Sequence, residues 1–588
     1  MKINKSSYFD LILFKKVMVY AKPYIKTYYV VLMSAILLSV FSTLNPYLLK
    51  ITVDDYITPG NYSGLMTFIF VMLIVLSLEV VFQYVFVFYA NWLGQMVIKD
   101  IRISLFNKLV SFRMNFFDKS AVGRLVTRSV SDIESIASIF SQGLFMILAD
   151  FLKMGIVVIV MIVINFELSL VVFSILPVIV YATRIFQKSM KKAFEQVRIE
   201  ISNMNTFLQE RITGMRIVQI FNRENKELKA FRLINERHKK AWLKTVWYNS
   251  IFFPIAELST SITLGILVWY GGLRAYADDN FSLGVIFLFI QLSQNLFRPL
   301  RQIADKFNTL QMGMVAAERV IEILEKEESV DNNLFELQDN FKPSICIENL
   351  SFSYEAGHQV LKDINIKINA GEKVALVGST GSGKSTLVNL ILLLYEYDKG
   401  EIKVDGIPIN KISKNSLRSQ IANISQDIFL FADSIFNNVT LYNPDITLNE
   451  VKQAANEIGI DKFIKKLPKG FKHIVNEGGT ILSSGQRQLV AFLRAYISNP
   501  KILILDEATS SVDSFTEELI QVATDKIIKN KTSIIIAHRL TTIKKADKII
   551  VLEGGKIVEI GTHSELIKIE QGKYKKLHEL QFKSEKID

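Results

Sequence analysis

Residues 373–394 read KVALVGSTGSGKSTLVNLILLL, and this stretch decides how the second half of the chain is built. A β-rich apolar run, 373–377, leads straight into Gly378-Ser379-Thr380-Gly381-Ser382-Gly383-Lys384-Ser385-Thr386, and an apolar helical stretch, 387–394, follows. Strand, glycine-rich loop and helix in that order form the setting in which a loop cradles phosphates. The glycines let backbone N–H groups curl round an anion, and the helix N-terminus adds its dipole. In such a loop Lys384 places a cation on the β- and γ-phosphates, and Ser385 offers its hydroxyl to Mg2+.

Further along, residues 501–507 read KILILDE, an apolar strand run ending in two acids. A buried strand delivers such carboxylates to its C-terminal end, where α/β sheets bind ligands. Asp506 is expected to hold Mg2+ through water, and Glu507 to polarise an attacking water as general base. Either acid alone would read as the start of a helix; beside a phosphate loop the chemical reading prevails. Before the loop, β-rich runs occupy 345–352 and 364–368. Cys346, the single cysteine, excludes an intrachain disulfide and a cysteine-based metal cluster, and its strand-like surroundings predict a buried, inert thiol.

The first half is of another kind. The chain has 588 residues, enough for several domains, and joins 50% hydrophobic residues to 21% charged ones because its two halves differ. Six stretches, 28–49, 65–93, 140–164, 168–186, 246–271 and 281–308, are apolar over a length that crosses a hydrocarbon core, about 20 helical residues. A net charge of +12 would suit nucleic acid, but much of it gathers in 96–132 and 187–244, between apolar stretches. That is how cytoplasmic loops of membrane proteins are charged, so a lipid bilayer is the expected partner and nucleic acid is not. The short connections carry only Lys50 and Arg274, whereas the long ones carry Lys99, Arg102, Lys108, Arg113, Lys191, Lys192, Arg198 and more. This asymmetry puts the long loops and both termini in the cytoplasm of a multi-pass protein of the plasma (inner) membrane. The Lys-rich N-terminus lacks a signal-peptide pattern, and 8–24 reads as an amphipathic helix on the inner surface.

The long loops keep helical periodicity, so the spanning helices are expected to run on into the cytoplasm and end in short turns near 117–124 and 210–215. Such turns can reach a soluble domain. Within the spans, Glu79 is a candidate cavity-lining group, the alternative being a polar contact between helices; Glu257 is a weaker one. The expected domains are an elbow at 1–27, a six-helix region at 28–314, a linker at 315–343, an α/β ATPase domain at 344–580 and a tail at 581–588.

Between the two halves of the α/β site lies Leu482-Ser483-Ser484-Gly485-Gln486-Arg487-Gln488, opening a helix through Leu493. This resembles the signature of the ATP-binding cassette (ABC) family, and the likeness covers nearly the whole chain in order. The resemblance implies that Tyr354 stacks on adenine and that Gln426 is the Q-loop residue touching Mg2+. It places Glu477 in the exporter-type segment that meets the coupling helices, Asp513 in the D-loop and His538 as the switch histidine. Phe116-Phe117-Asp118 and the run from Gly214-Met215 to Glu224 are similar to the loop motifs of type I exporters, whose turns couple the two domains.

In that family a nucleotide is held between the phosphate loop of one cassette and the signature (here Leu482 to Gln486) of another. One chain carries one of each, so the resemblance implies a dimer with a second half-transporter, using ATP and Mg2+. Ser484 departs from the commonest signature, which has Gly there, while Tyr354, Lys384, Glu507 and His538 match the consensus. That combination resembles one subunit of heterodimeric multidrug exporters with one impaired site, and a heterodimer is favoured over a homodimer with a tolerated serine. The expected function is ATP-driven efflux of small amphipathic compounds, multidrug or lipid-like, by alternating access. The alternatives are a non-transporting membrane ATPase or nucleotide-gated regulator, or an exporter dedicated to lipid or peptide.

Overall fold

The structure, a computed structural model, describes residues 11–278, 281–326, 335–338, 340–355, 357–506, 514–537 and 540–584. Backbone packing divides the chain into one unit of Met1–Ser111 with Ser120–Glu327 and another of Phe112–Lys119 with Glu328–Asp588.

The first unit is helical. It opens with α1 (Leu11–Val19), and the single helix expected over 8–24 is interrupted at Tyr20 and Ala21 before a 3-10 turn, Lys22–Tyr24. Pro23 accounts for the break, since it has no N–H to continue an α-helical ladder. There follow α2 (Ile25–Ile51), α3 (Tyr62–Ser111), α4 (Met114–Asp118, packed in the second unit), α5 (Val122–Thr127), α6 (Ile133–Ser138), α7 (Phe145–Ile164), α8 (Phe166–Thr213), α9 (Met215–Ile220), α10 (Glu224–Ala277) and α11 (Leu283–Leu324). Two π-helical turns, Arg128–Asp132 and Ile139–Leu144, weld α5, α6 and α7 into one rod over Val122–Ile164.

Six of these rods are long and apolar enough to cross a membrane. Five of the expected spans each fall inside one of them, and the sixth, 281–308, overlaps α11, which begins at Leu283. With 50 residues, α3 is about 75 Å long at 1.5 Å per residue, over twice the ~30 Å hydrocarbon core. The helices therefore continue beyond the bilayer, and the turns expected near 117–124 and 210–215 fall at 119–121, between α4 and α5, and at Gly214, between α8 and α9.

Side-chain burial sorts the faces. Val157, Met161, Leu168, Val172, Leu267, Phe289, Leu292 and Phe297 are buried between helices, while Ile159, Val163, Leu170 and Tyr181 point outward, as lipid-facing apolar residues do. Helix α2 packs on α3, α7 and α11, whereas α8 and α10 pair along each other. A π-helical turn, Thr52–Ile57, extends α2 and sets Asp54 against the start of α11, where its carboxylate accepts from Gly284 N at 2.8 Å and from Ser282 Oγ. Gly284 is needed there: a Cβ would lie 2.5 Å from Lys50 O.

The second unit holds two sheets. Strands β1 (Ile345–Ser353), β2 (Gln359–Ile368), β4 (Lys399–Val404) and β5 (Ile407–Pro408) form an antiparallel sheet in the order β2-β1-β4-β5. Strands β3 (Lys373–Val377), β6 (Ile421–Ile424), β7 (Ile502–Asp506), β8 (Thr532–Ile536), β9 (Lys548–Glu553) and β10 (Lys556–Gly561) form the other, in the order β10-β9-β3-β8-β7-β6. All its pairings are parallel except β9 with β10. Val374 and Leu376 face one apolar cluster and Ala375 and Val377 the other, so β3 is buried on both sides, as a central parallel strand must be.

The expectation for Cys346 is corrected. It alternates with the buried Ile345 and Ile347 and so takes the opposite face of β1, where it is half-exposed and its thiol lies 3.5 Å from Glu348 Oε1. Burial, more than the nearby carboxylate, pushes the thiol above its ordinary range.

Candidate active site

The glycine loop joins β3 to α12 (Lys384–Ile391), which starts at Lys384 rather than at 387 because Gly383, at φ +103°, caps it in the left-handed region. The cradle is tight where it meets the sheet. A Cβ on Gly378 would lie 2.2 Å from Leu552 O, and one on Gly383 would lie 2.6 Å from the Leu361 side chain. Gly381, at φ +80°, faces open space. Ser379, Thr380, Gly381 and Ser385 are exposed, while Ser382, Lys384 and Thr386 are buried. A loop with a buried floor and an exposed rim of backbone N–H groups at a helix N-terminus suits an anion.

Lys384 is folded into that loop. Its Nζ donates to Gly378 O at 2.8 Å and Ser379 O at 3.0 Å, and Ser382 Oγ lies 3.5 Å away. Burial pushes its ammonium below the ordinary lysine range, and the negative charge of Asp506 works against that shift. Tyr354 follows β1 and is 39% exposed, so its ring is available to a flat partner; its hydroxyl donates to Thr386 Oγ1 at 3.3 Å.

Parallel pairing assembles the rest. Leu376 and Asp506 both pair with Ile536, and Leu505 pairs with Ile424, so β3, β8, β7 and β6 end along one edge. Adjacent strands lie about 4.8 Å apart, which puts Asp506 about 10 Å across the sheet from the end of β3. Gln426 follows β6 by two residues at the same edge and is exposed. Serine hydroxyl, glutamine amide and aspartate carboxylate are all oxygen donors, the set that suits Mg2+. Glu507, Asp513 and His538 lie outside the described residues; in sequence Glu507 follows β7 by one residue and His538 follows β8 by two.

The signature residues open a separate helix, Ser484–Ile497. Ser483 caps it: Gln486 N donates to Ser483 Oγ at 3.2 Å, and Ser483 N donates to Gln486 Oε1 at 3.1 Å. Leu482 and Gly485 are buried, whereas Ser483 and Ser484 are exposed. Arg487 donates back to Leu482 O at 3.2 Å and fixes the approach to the cap. Glu477 is exposed in a 3-10 turn, Glu477–Gly479.

Of the coupling residues, Phe117 and Asp118 sit on α4, within the same unit as the cassette, and Asp118 accepts from the Tyr395 hydroxyl. An ion pair between Arg113 and Glu396 lies beside it. Gly214 ends α8 and Met215 begins α9, in the helical unit; Met215 is exposed.

Within the spans, Glu79 is half-buried and accepts from Asn45 Nδ2, a polar contact between α2 and α3. Two further features escaped the sequence reading: an ion pair of Lys306 with Asp150, and Lys153, which feels the charges of Glu79, Asp150 and Arg298. Asp150 and Lys153 interrupt an apolar span, and that interruption was the available signal.

Residues 28–300 match the family model of the ABC transporter transmembrane region, and residues 361–510 that of the ABC transporter. The chain is 34% identical over 551 residues, 93% of its length and 91% of the relative's, to the uncharacterized ABC transporter ATP-binding protein YknV of Bacillus subtilis (strain 168). It is 32% identical over 576 residues, 98% of the chain and 95% of the relative, to an ATP-dependent lipid A-core flippase of Syntrophus aciditrophicus (strain SB). It is 31% identical over 577 residues, 96% and 99% respectively, to the putative multidrug export ATP-binding/permease protein YgaD of Bacillus subtilis (strain 168). Six membrane-length helices and an α/β cassette on one chain, matched along nearly their whole length, establish that the protein belongs to the ABC transporter family, as a half-transporter of exporter architecture whose cassette hydrolyses ATP coupled to transport.

Proposed function

We propose that this chain exports amphipathic compounds, drug-like or lipid-like, across the cytoplasmic membrane by alternating access, as one half of a dimer. The observation that carries the reading is the division of the site: the glycine loop and the signature open different helices, Lys384–Ile391 and Ser484–Ile497, and one chain carries one copy of each. A nucleotide held between two cassettes would meet the glycine loop of one and the signature of the other. Relatives of similar length are named as a lipid A-core flippase and as a multidrug export permease, which supports an amphipathic substrate. The excess of Lys and Arg in the long connections supports cytoplasmic termini.

On this reading the loop 378–386 wraps the phosphates and Tyr354 stacks on the base. Lys384 would leave Gly378 O and Ser379 O for the phosphate oxygens, since a bond to a charged acceptor is stronger than one to a neutral carbonyl. Ser385, Gln426 and Asp506 would hold Mg2+, directly or through water; when bound, the ion neutralises charge on the phosphate oxygens. Glu507 takes a proton from the attacking water and His538 steadies the γ-phosphate. ATP binds the closed pair of cassettes better than the open pair, and that difference drives the change of access. Coupling passes through the turns at Phe117–Asp118 and Gly214–Met215, with Glu477 beside the signature. Ser484 supports a heterodimer, because its side chain stands exposed where close approach to the γ-phosphate is needed.

The test is purification of the native complex, to see whether one or two kinds of subunit appear, followed by reconstitution into vesicles with a fluorescent lipid analogue and a cationic dye. ATP-dependent, one-way movement of either probe is expected. ATP hydrolysis with no movement of either would favour a nucleotide-gated regulator.

A further inference from the structure

The turn after α12 is built with unusual care. The helix ends at Ile391, Leu393 takes a left-handed conformation at φ +51°, and Arg418 donates to Leu392 O at 3.3 Å and Leu393 O at 3.0 Å. A leucine in that region is strained, and the guanidinium holds the strained turn in place. What the turn presents is Tyr395.

Tyr395 has two faces at work. Its ring meets Tyr354 edge to face, with centroids 5.1 Å apart at 89°, and Phe352 meets Tyr354 in the same way at 4.8 Å and 82°. Tyr354 is thus held by two aromatic rings and, through its hydroxyl, by Thr386 in the first turn of α12. At the other end the Tyr395 hydroxyl donates to Asp118 Oδ2 on α4, and the neighbouring Glu396 pairs with Arg113 at the start of that helix. Burial, then the Asp118 carboxylate, push the phenol above its ordinary range, so it remains a donor at physiological pH. Tyr354, Tyr395 and Asp118 are separated in sequence yet form one continuous chain from the ring read as facing the base to α4.

We propose that Tyr395 is a positioning residue with two separable roles: its ring sets Tyr354 for the nucleobase, and its hydroxyl carries the nucleotide-dependent position of Tyr354 to α4 through Asp118. The proposal rests on the reading of Tyr354 as the base-stacking residue. It makes base contact itself a signal to the membrane half, by a route that uses neither Gln426 nor Glu477.

The test uses the full-length complex in lipid nanodiscs. Affinity for a non-hydrolysable ATP analogue is measured beside hydrogen–deuterium exchange of residues 112–119, with and without the analogue. In the wild type, nucleotide changes exchange over α4. Tyr395→Phe keeps the ring, so affinity stays within about twofold, while the exchange response of α4 falls by about half or more; Asp118→Asn does the same, and the double variant falls no further, as partners in one contact do. Tyr395→Leu removes the ring and weakens analogue binding by roughly fivefold or more, the order of one aromatic contact. A Tyr395→Phe protein with wild-type affinity and a wild-type α4 response overturns the proposal, and so does a wild type that binds the analogue with no change over α4. A wild type that does not bind the analogue would instead overturn the proposed function. If Tyr395→Leu does not fold, the Tyr395→Phe result still decides the matter.

Discussion

Leu376 of β3 and Asp506 of β7 pair with the same residue, Ile536 of β8, so the strand that feeds the glycine loop and the strand that delivers the carboxylate end in one row. Asp506 is also the charge that opposes the effect of burial on Lys384. Replacing it with Asn removes the negative charge proposed to hold Mg2+ and leaves burial of the lysine unopposed. ATPase activity of Asp506→Asn is expected to fall on the order of tenfold or more, with a raised requirement for Mg2+. Activity titrated against Mg2+ checks this; an unchanged midpoint would remove Asp506 from the metal site.

Two of the three loop glycines, Gly378 and Gly381, should respond differently to a methyl group. In Gly378→Ala the Cβ would meet a backbone carbonyl at 2.2 Å and Ser382 Oγ at 2.7 Å, so the strand must shift, at a cost of about 1–3 kcal/mol. In Gly381→Ala there is open space, and only the positive φ costs, about 1 kcal/mol. Thermal unfolding of the full chain should therefore show the larger loss for Gly378→Ala; the reverse order would mean that the loop is not seated on Leu552.

Ser484 stands at the first helical position after the cap, whose bonds run between Ser483 and Gln486. Replacing Ser484 with Gly should leave the helix folded, since the cap and Arg487 remain. ATPase activity of the complex is expected to rise a few-fold, on the order that one relieved close contact allows. No change would favour a homodimer in which the serine is tolerated.

The C-terminal helix, Lys573–Ser584, is tied down by the buried Tyr574, whose hydroxyl lies 2.7 Å from His563 Nδ1. Burial, then His578 and Lys544, hold the His563 pKa below its ordinary 6.5. The folded state thus prefers the neutral ring, and the unfolded segment binds a proton more readily. Stability from this group is complete above the ordinary value and is lost as pH falls below it toward the depressed one. Hydrogen exchange over residues 573–579, corrected for intrinsic rates, should lose protection as pH falls below about 6.5 in the wild type and less so in His563→Gln. Equal slopes would exclude His563 as the cause.

The local elements were legible because their signals are local. The run 373–377 was read as a strand with its observed bounds, and a glycine-rich loop leading to a helix needs no distant information. The six spans were legible from length and apolarity alone. The errors arose where local context is insufficient. The break at Pro23 cut a helix that amphipathicity alone had extended, and Cys346 turned outward because strand alternation, not the apolar character of its neighbours, sets the face. The π-helical turns shift the 3.6-residue period and moved Asp54 onto the start of α11, which no sequence pattern announces. Tyr395 was invisible for a plainer reason: its partner Asp118 lies 277 residues away, and only the tertiary fold brings them together.

The central claim is that ATP held by the loop Gly378 to Thr386 is hydrolysed with Glu507 as general base. Glu507→Gln in the purified complex, assayed for ATP binding and for steady-state hydrolysis, tests it most directly. The account predicts binding within a few-fold of wild type and turnover reduced by about tenfold or more, as loss of a general base requires. Wild-type turnover in Glu507→Gln would contradict it.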